Sequence, residues 1–81
     1  MGEPTRLGRR VKMLRERAQL TQHELARRSG VSRSTIAGLE TGDRPSLTLE
    51  NAMKLADALG VSLDLLARGD ILEGEFTATL A

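Results

Sequence analysis

The stretch Gln22-His23-Glu24-Leu25-Ala26-Arg27-Arg28-Ser29-Gly30-Val31-Ser32-Arg33-Ser34-Thr35-Ile36-Ala37-Gly38-Leu39-Glu40-Thr41 decides the fold of this chain. Thr21 precedes it and Glu24 stands three residues later, which is the pattern of a capping box at a helix start. The helix that begins at Gln22 is predicted to run to about Ser29, where Gly30 offers the positive φ that closes a helix. Only Val31 separates Gly30 from Ser32, a second cap, so another helix is expected from Arg33 to about Thr41. Ala26 is small where the two helices would cross, and Val31, Ile36 and Leu39 are placed to bury the inner side of the second. Two short helices joined by so tight a turn hold the second one out from the domain.

Outward from this centre the chain reads as helical throughout its first 69 residues. Upstream, Leu7, Val11, Leu14 and Ala18 recur at helical spacing among Arg9, Arg10, Lys12, Arg15 and Arg17, predicting an amphipathic helix over roughly Leu7 to Ala18. Downstream, Gly42 ends the Arg33–Thr41 helix, and Asp43-Arg44-Pro45-Ser46 has the chemistry of a loop. Thr48 caps a fourth helix, Leu49 to Leu59, with Leu49, Ala52, Met53, Ala56 and Leu59 as its expected apolar side. Ser62 caps a short fifth, Leu63 to Arg68, stopped by Gly69. The fold class expected is therefore all-α: a compact five-helix domain over residues 1–69, followed by a tail over 70–81. In that tail Phe76, Ala78 and Leu80 alternate with Glu75, Thr77 and Thr79, the period of a strand. A lone strand must pair or remain disordered, so the tail is either disordered or a strand used in dimerisation.

Composition narrows the function. The net charge of +1 conceals a division: residues 1–44 hold ten Lys/Arg against five Asp/Glu, a net of +5, and residues 45–81 hold two against six, a net of −4. A basic half suits a polyanion, although both halves would also serve as solvated faces. With one histidine, His23, and no cysteine, the usual nucleophile–base pairs are scarce and thiolate metal sites are excluded. The acidic residues lack the helical His/Glu spacing of a metal site, and no glycine-rich phosphate loop is present. No run approaches a membrane span. An enzyme is not expected, no cofactor is implied, and the expected location is cytoplasmic.

The exposed positions of the second helix are Arg33, Ser34, Thr35, Ala37 and Gly38, a set free of acid that would not repel phosphate. At this point Gln22-His23-Glu24-Leu25-Ala26, Gly30-Val31-Ser32 and Ile36-Ala37-Gly38-Leu39-Glu40-Thr41-Gly42 resemble the phage repressor and Cro-like helix-turn-helix family. Ala58-Leu59-Gly60-Val61-Ser62-Leu63-Asp64 is similar to that family's junction between fourth and fifth helices. The resemblance spans roughly Leu7 to Gly69. It implies a homodimer on double-stranded operator DNA, with Arg33–Thr41 as the recognition helix entering the major groove.

On that resemblance Arg33, Ser34, Thr35 and Gly38 occupy base-reading positions. Arg33 would pair bidentately with guanine, worth about 1–3 kcal/mol of discrimination, or else reach a phosphate. Ser34 and Thr35 would specify less. Gly38 departs from the long polar residue many members place there, so either backbone meets DNA closely or that base pair goes unread. Thr21, Gln22 and Thr41 match phosphate contacts, with the backbone and side chain of Gln22 aided by the positive helix terminus. Arg44 and, more weakly, Arg10 are further phosphate candidates. Arg15 and Glu40 match a partly buried family pair that is structural first and phosphate-directed second. The function implied is a dimeric transcriptional regulator acting as a repressor, without a small-molecule effector domain and controlled by concentration, dimerisation or a partner protein. The alternatives are an antitoxin that holds a toxin, a small protein partner, and autoregulates its operon, or a restriction–modification controller.

Overall fold

The structure, a computed structural model, describes residues 3–44 and 46–67. Five helices follow in order: α1 Arg6–Arg17, α2 Gln22–Ser29, α3 Arg33–Thr41, α4 Leu49–Leu59 and α5 Leu63–Ala67. Each start and stop has a local cause. The side chains of Thr5, Thr21, Ser32 and Thr48 each accept a hydrogen bond from the backbone amide three residues on, which satisfies a donor the helix itself leaves orphaned. Gly30, Gly42 and Gly60 close α2, α3 and α4 with φ of 79°, 95° and 70°.

The end of α1 departs from this rule. Gln19 takes φ 62° there without being glycine, which costs of order 1 kcal/mol. Leu20, buried directly after it, donates its amide to Arg15 and accepts from the Arg15 side chain through its carbonyl. Those contacts hold the unfavourable conformation in place. No glycine signalled the turn in the sequence.

The core is aliphatic. Leu7, Val11, Leu14, Leu20, Leu25, Val31, Ile36, Leu39, Ala52, Leu55, Ala56 and Leu66 form one buried cluster, with Ala26 packed against it. Helix α1 packs on α3 and α5, α2 on α3 and α4, and α4 on α5. The expected burial of Val31, Ile36 and Leu39 is met. The expected apolar side of α4 is met in part: Ala52 and Ala56 are buried and Leu59 packs on the core, whereas Leu49 and Met53 are about half exposed (48% and 53%) and Leu55, not anticipated, is fully buried. Ala18 also lies exposed, beyond the last turn of α1.

Gly8 sits in the first turn of α1, buried against α3. A Cβ built there would run into the carbonyl of Leu39, so α1 and α3 approach through a position that only a bare backbone permits. Among the described residues no helix is long and apolar enough to cross a membrane. The expected tail over 70–81, and with it Phe76, lies outside the described residues.

Candidate nucleic-acid interface

The start of α2, the start of α3 and the loop after α3 carry most of the expected DNA contacts. Their mutual orientation is held by a buried carboxylate. Glu40 on α3, whose side chain is only 4% exposed, accepts from Arg15 Nε at 2.8 Å and from a terminal Arg15 nitrogen at 2.9 Å. The other terminal nitrogen of Arg15 donates to the Leu20 carbonyl at 2.8 Å. Gln22 Nε2, in the first turn of α2, donates to the same Glu40 oxygen at 3.1 Å. One carboxylate therefore ties α1, α2 and α3 together. The hydrogen bond to Glu40 holds the Arg15 guanidinium above its ordinary pKa, against the opposing effect of burial.

The expected pair of Arg15 and Glu40 is present, and Arg15, 12% exposed and bonded on both sides of its guanidinium, acts first as a positioning residue. Gln22 spends one of its two side-chain amide protons on Glu40, which leaves the other for a phosphate. Helix α2 also presents backbone to an anion: the first-turn amides of Gln22 and His23, which no helix satisfies internally. Thr21 is committed to the capping box, its backbone amide donating to Glu24 Oε1 at 2.8 Å and its hydroxyl accepting from the Glu24 amide at 3.0 Å.

The capping box makes Glu24 a pH reporter. The bonds from Thr21 hold its carboxyl below the ordinary glutamate value. A carboxylate whose pKa is lower in the folded state stabilises above its unfolded pKa, and that contribution fades as pH falls through the folded value. Glu24→Gln keeps an acceptor but cannot titrate. Urea midpoints measured from pH 7 down to pH 3 should fall more for the parent protein than for Glu24→Gln. A constant difference across that range would contradict the capping role.

In α3, Arg33 and Ser34 are exposed and Thr35 half-buried. Arg33 makes no hydrogen bond or ion pair with any described residue, leaving its five donors available. Ser32, the cap, accepts from the Thr35 amide at 3.1 Å and donates to the Thr35 hydroxyl at 2.8 Å, and its oxygen lies 3.4 Å from that of Ser34. The first turn of α3 is thus a small hydroxyl cluster beside a free guanidinium. Thr41, at the far end, is exposed and donates its hydroxyl proton to the Gly38 carbonyl at 3.3 Å.

Gly38 is not exposed as the sequence reading placed it, and Arg10 lies on a different side of α1 from Arg15. Gly38 is buried, its α-carbon covered by the side chain of Arg44, so it does not itself offer backbone to a base. Arg10 is five residues from Arg15, roughly 140° around α1, on a side turned away from α3. It lines an open depression with Arg6, Arg9 and Met13 instead. Arg44 itself is exposed, as a contact with DNA requires. The Gln22–Glu40 bond, the Gly8 approach and the cover over Gly38 escaped the sequence reading. Gly8 alone carried a signal, a glycine interrupting an amphipathic helix.

Residues 11–66 match the helix-turn-helix family. Among curated proteins the chain is 34% identical over 67 residues to y4mF of Sinorhizobium fredii, an uncharacterised HTH-type transcriptional regulator, covering 83% of this chain and 87% of that one. It is 34% identical over 77 residues to the antitoxin HipB of Escherichia coli O6:H1, covering 84% and 82%. Among solved structures it is similar to the restriction-modification controller protein C.AhdI from Aeromonas hydrophila. That match has a TM-score of 0.69 and 40% identity, over 74% of this chain and 89% of the other.

Proposed function

This chain belongs to the helix-turn-helix family of DNA-binding transcriptional regulators, and from that membership we propose that it is a sequence-specific repressor acting as a homodimer on duplex DNA. The observation that carries the reading is the outer end of α3. An unpaired Arg33 guanidinium and an exposed Ser34 stand there with the half-buried Thr35. The N-terminal residues of α3 enter the major groove, with Arg33 as the main base-reading side chain and Ser34 and Thr35 as weaker ones. Backbone amides of Gln22 and His23, with Thr41, face phosphates. Two copies span half-sites about one helical turn apart, roughly 34 Å. The protein acts in the cytoplasm, on the nucleoid, without catalysis or cofactor.

The test is a selection from random duplexes followed by binding titrations. Affinity for the selected site should fall steeply with salt, because each neutralised phosphate releases counterions. Arg33→Ala should relax one position in each half-site, costing about 1–3 kcal/mol of discrimination there. Salt-independent binding would remove the phosphate contacts from the reading, and an unchanged preference would remove Arg33 from the base contacts.

A second reading, an antitoxin that also holds a toxin, is favoured by the likeness to HipB over 84% of the chain. Purification from the native host separates the two. A stoichiometric small protein released only by denaturant supports the antitoxin, and a homodimer alone supports the repressor. The likeness to C.AhdI favours a controller role, which uses the same chemistry on DNA and differs in the genes adjoining the operator.

A further inference from the structure

Gly38 is buried although it lies on the outer face of α3. At roughly 100° per residue, Ile36, Leu39 and Glu40 form the inner side of this helix, and Ser34, Gly38 and Thr41 follow one another along the opposite stripe. A Cβ built on Gly38 would stand 2.9 Å from Arg44 Cγ, 3.0 Å from its Cδ and 3.4 Å from its Cβ. The arginine stem therefore rests on the bare backbone of α3, in the middle of the stripe that faces a groove. Two main-chain bonds bring it there. Gly42, at φ 95°, reverses the chain, and the amides of Gly42 and Arg44 both donate to the Gly38 carbonyl at 3.0 Å. Beyond this stem the guanidinium has no hydrogen bond or ion pair with any described residue.

The geometry points to Arg44 as a base-reading, specificity-determining residue that replaces the side chain residue 38 lacks. Its Cγ and Cδ occupy the space into which a longer residue at 38 would grow, so its guanidinium emerges where such a side chain would end. A planar fork at that place matches the O6 and N7 acceptors of guanine. Gly38 is then a permissive position: its missing Cβ lets a loop arginine lie along the helix. This inference rests on the proposed DNA-reading function and goes beyond a phosphate contact for Arg44.

The experiment selects sites from random duplex DNA with the parent protein, Arg44→Ala, Arg44→Lys, Gly38→Ala and the Gly38→Ala/Arg44→Ala double variant, and measures salt dependence on the best site. Arg44→Ala should relax one base pair per half-site by about 5- to 150-fold. Arg44→Lys should relax the same base pair with the salt slope kept, since it holds the charge and loses the fork. Gly38→Ala should also relax that base pair by displacing the stem, and the double variant should be no worse than Arg44→Ala alone. A uniform loss of affinity across all sequences in Arg44→Ala, with the salt slope lowered by about one phosphate, would overturn the inference in favour of a backbone contact. Additive effects of Gly38→Ala and Arg44→Ala at different base pairs would overturn the role of Gly38. A parent protein that selects no duplex at any salt would overturn the DNA-reading function together with it.

Discussion

Glu40→Ala is expected to lose about 3–5 kcal/mol of folding stability, because it leaves the Arg15 guanidinium largely buried and unpaired. A domain of this size has a total stability of roughly 4–12 kcal/mol, so the variant should be marginally folded at room temperature. The same change frees Gln22 Nε2, which shares the Glu40 oxygen with Arg15. Specific DNA binding should then fall even where the fold survives, since α2 and α3 lose their common anchor. Denaturant unfolding of Glu40→Ala, Arg15→Met and the Arg15→Met/Glu40→Leu double variant tests this. The double variant should be more stable than Glu40→Ala, because no charge remains unpaired in it. Equal loss in Glu40→Ala and the double variant would mean that the ion pair itself, rather than the stranded charge, carries the effect.

Gly8→Ala should destabilise by about 2–3 kcal/mol, against the direction that helix propensity alone predicts. Alanine in a helix interior is normally better than glycine by roughly 1 kcal/mol. At Gly8 the added methyl would meet the Leu39 carbonyl, and a backbone atom has no rotamer with which to yield. Helices α1 and α3 must separate, which opens the cluster around Leu7, Val11, Ile36 and Leu39. Gly38→Ala is the control, since there the methyl meets only the flexible stem of Arg44. Thermal unfolding should show a fall for Gly8→Ala of the order of 10 °C or more and a small rise for Gly38→Ala. If both rise, the α1–α3 approach is looser than the structure describes.

Helix boundaries were legible because they are local. Thr21, Ser32 and Thr48 with Gly30, Gly42 and Gly60 start and stop α2, α3 and α4 through bonds spanning three or four residues, and a sequence displays those directly. The inner side of α4 was not legible. Apolar residues occupy 49, 52, 53, 55, 56, 58 and 59, nearly all round the helix, and only contact with α2 and α5 selects Ala52, Leu55 and Ala56 for burial. The pair Arg15–Glu40 could be expected from family resemblance, but not the third member, Gln22, whose amide joins them across eighteen positions. Gly38 is the sharper case. Its burial comes from a side chain six residues later, beyond a chain reversal, and no periodicity encodes that.

The buried carboxylate of Glu40 has a consequence for how such a protein acquires new targets. The polar bonds that orient α3 end on Glu40, Arg15, Gln22 and the Leu20 carbonyl, the apolar ones on Ile36 and Leu39, and none of them involves Arg33, Ser34 or Arg44. Mutational drift at the outer stripe is therefore decoupled from the scaffold. Under the proposed reading of DNA by α3, a single substitution at Arg33, Ser34 or Arg44 changes the preferred site and leaves those bonds intact.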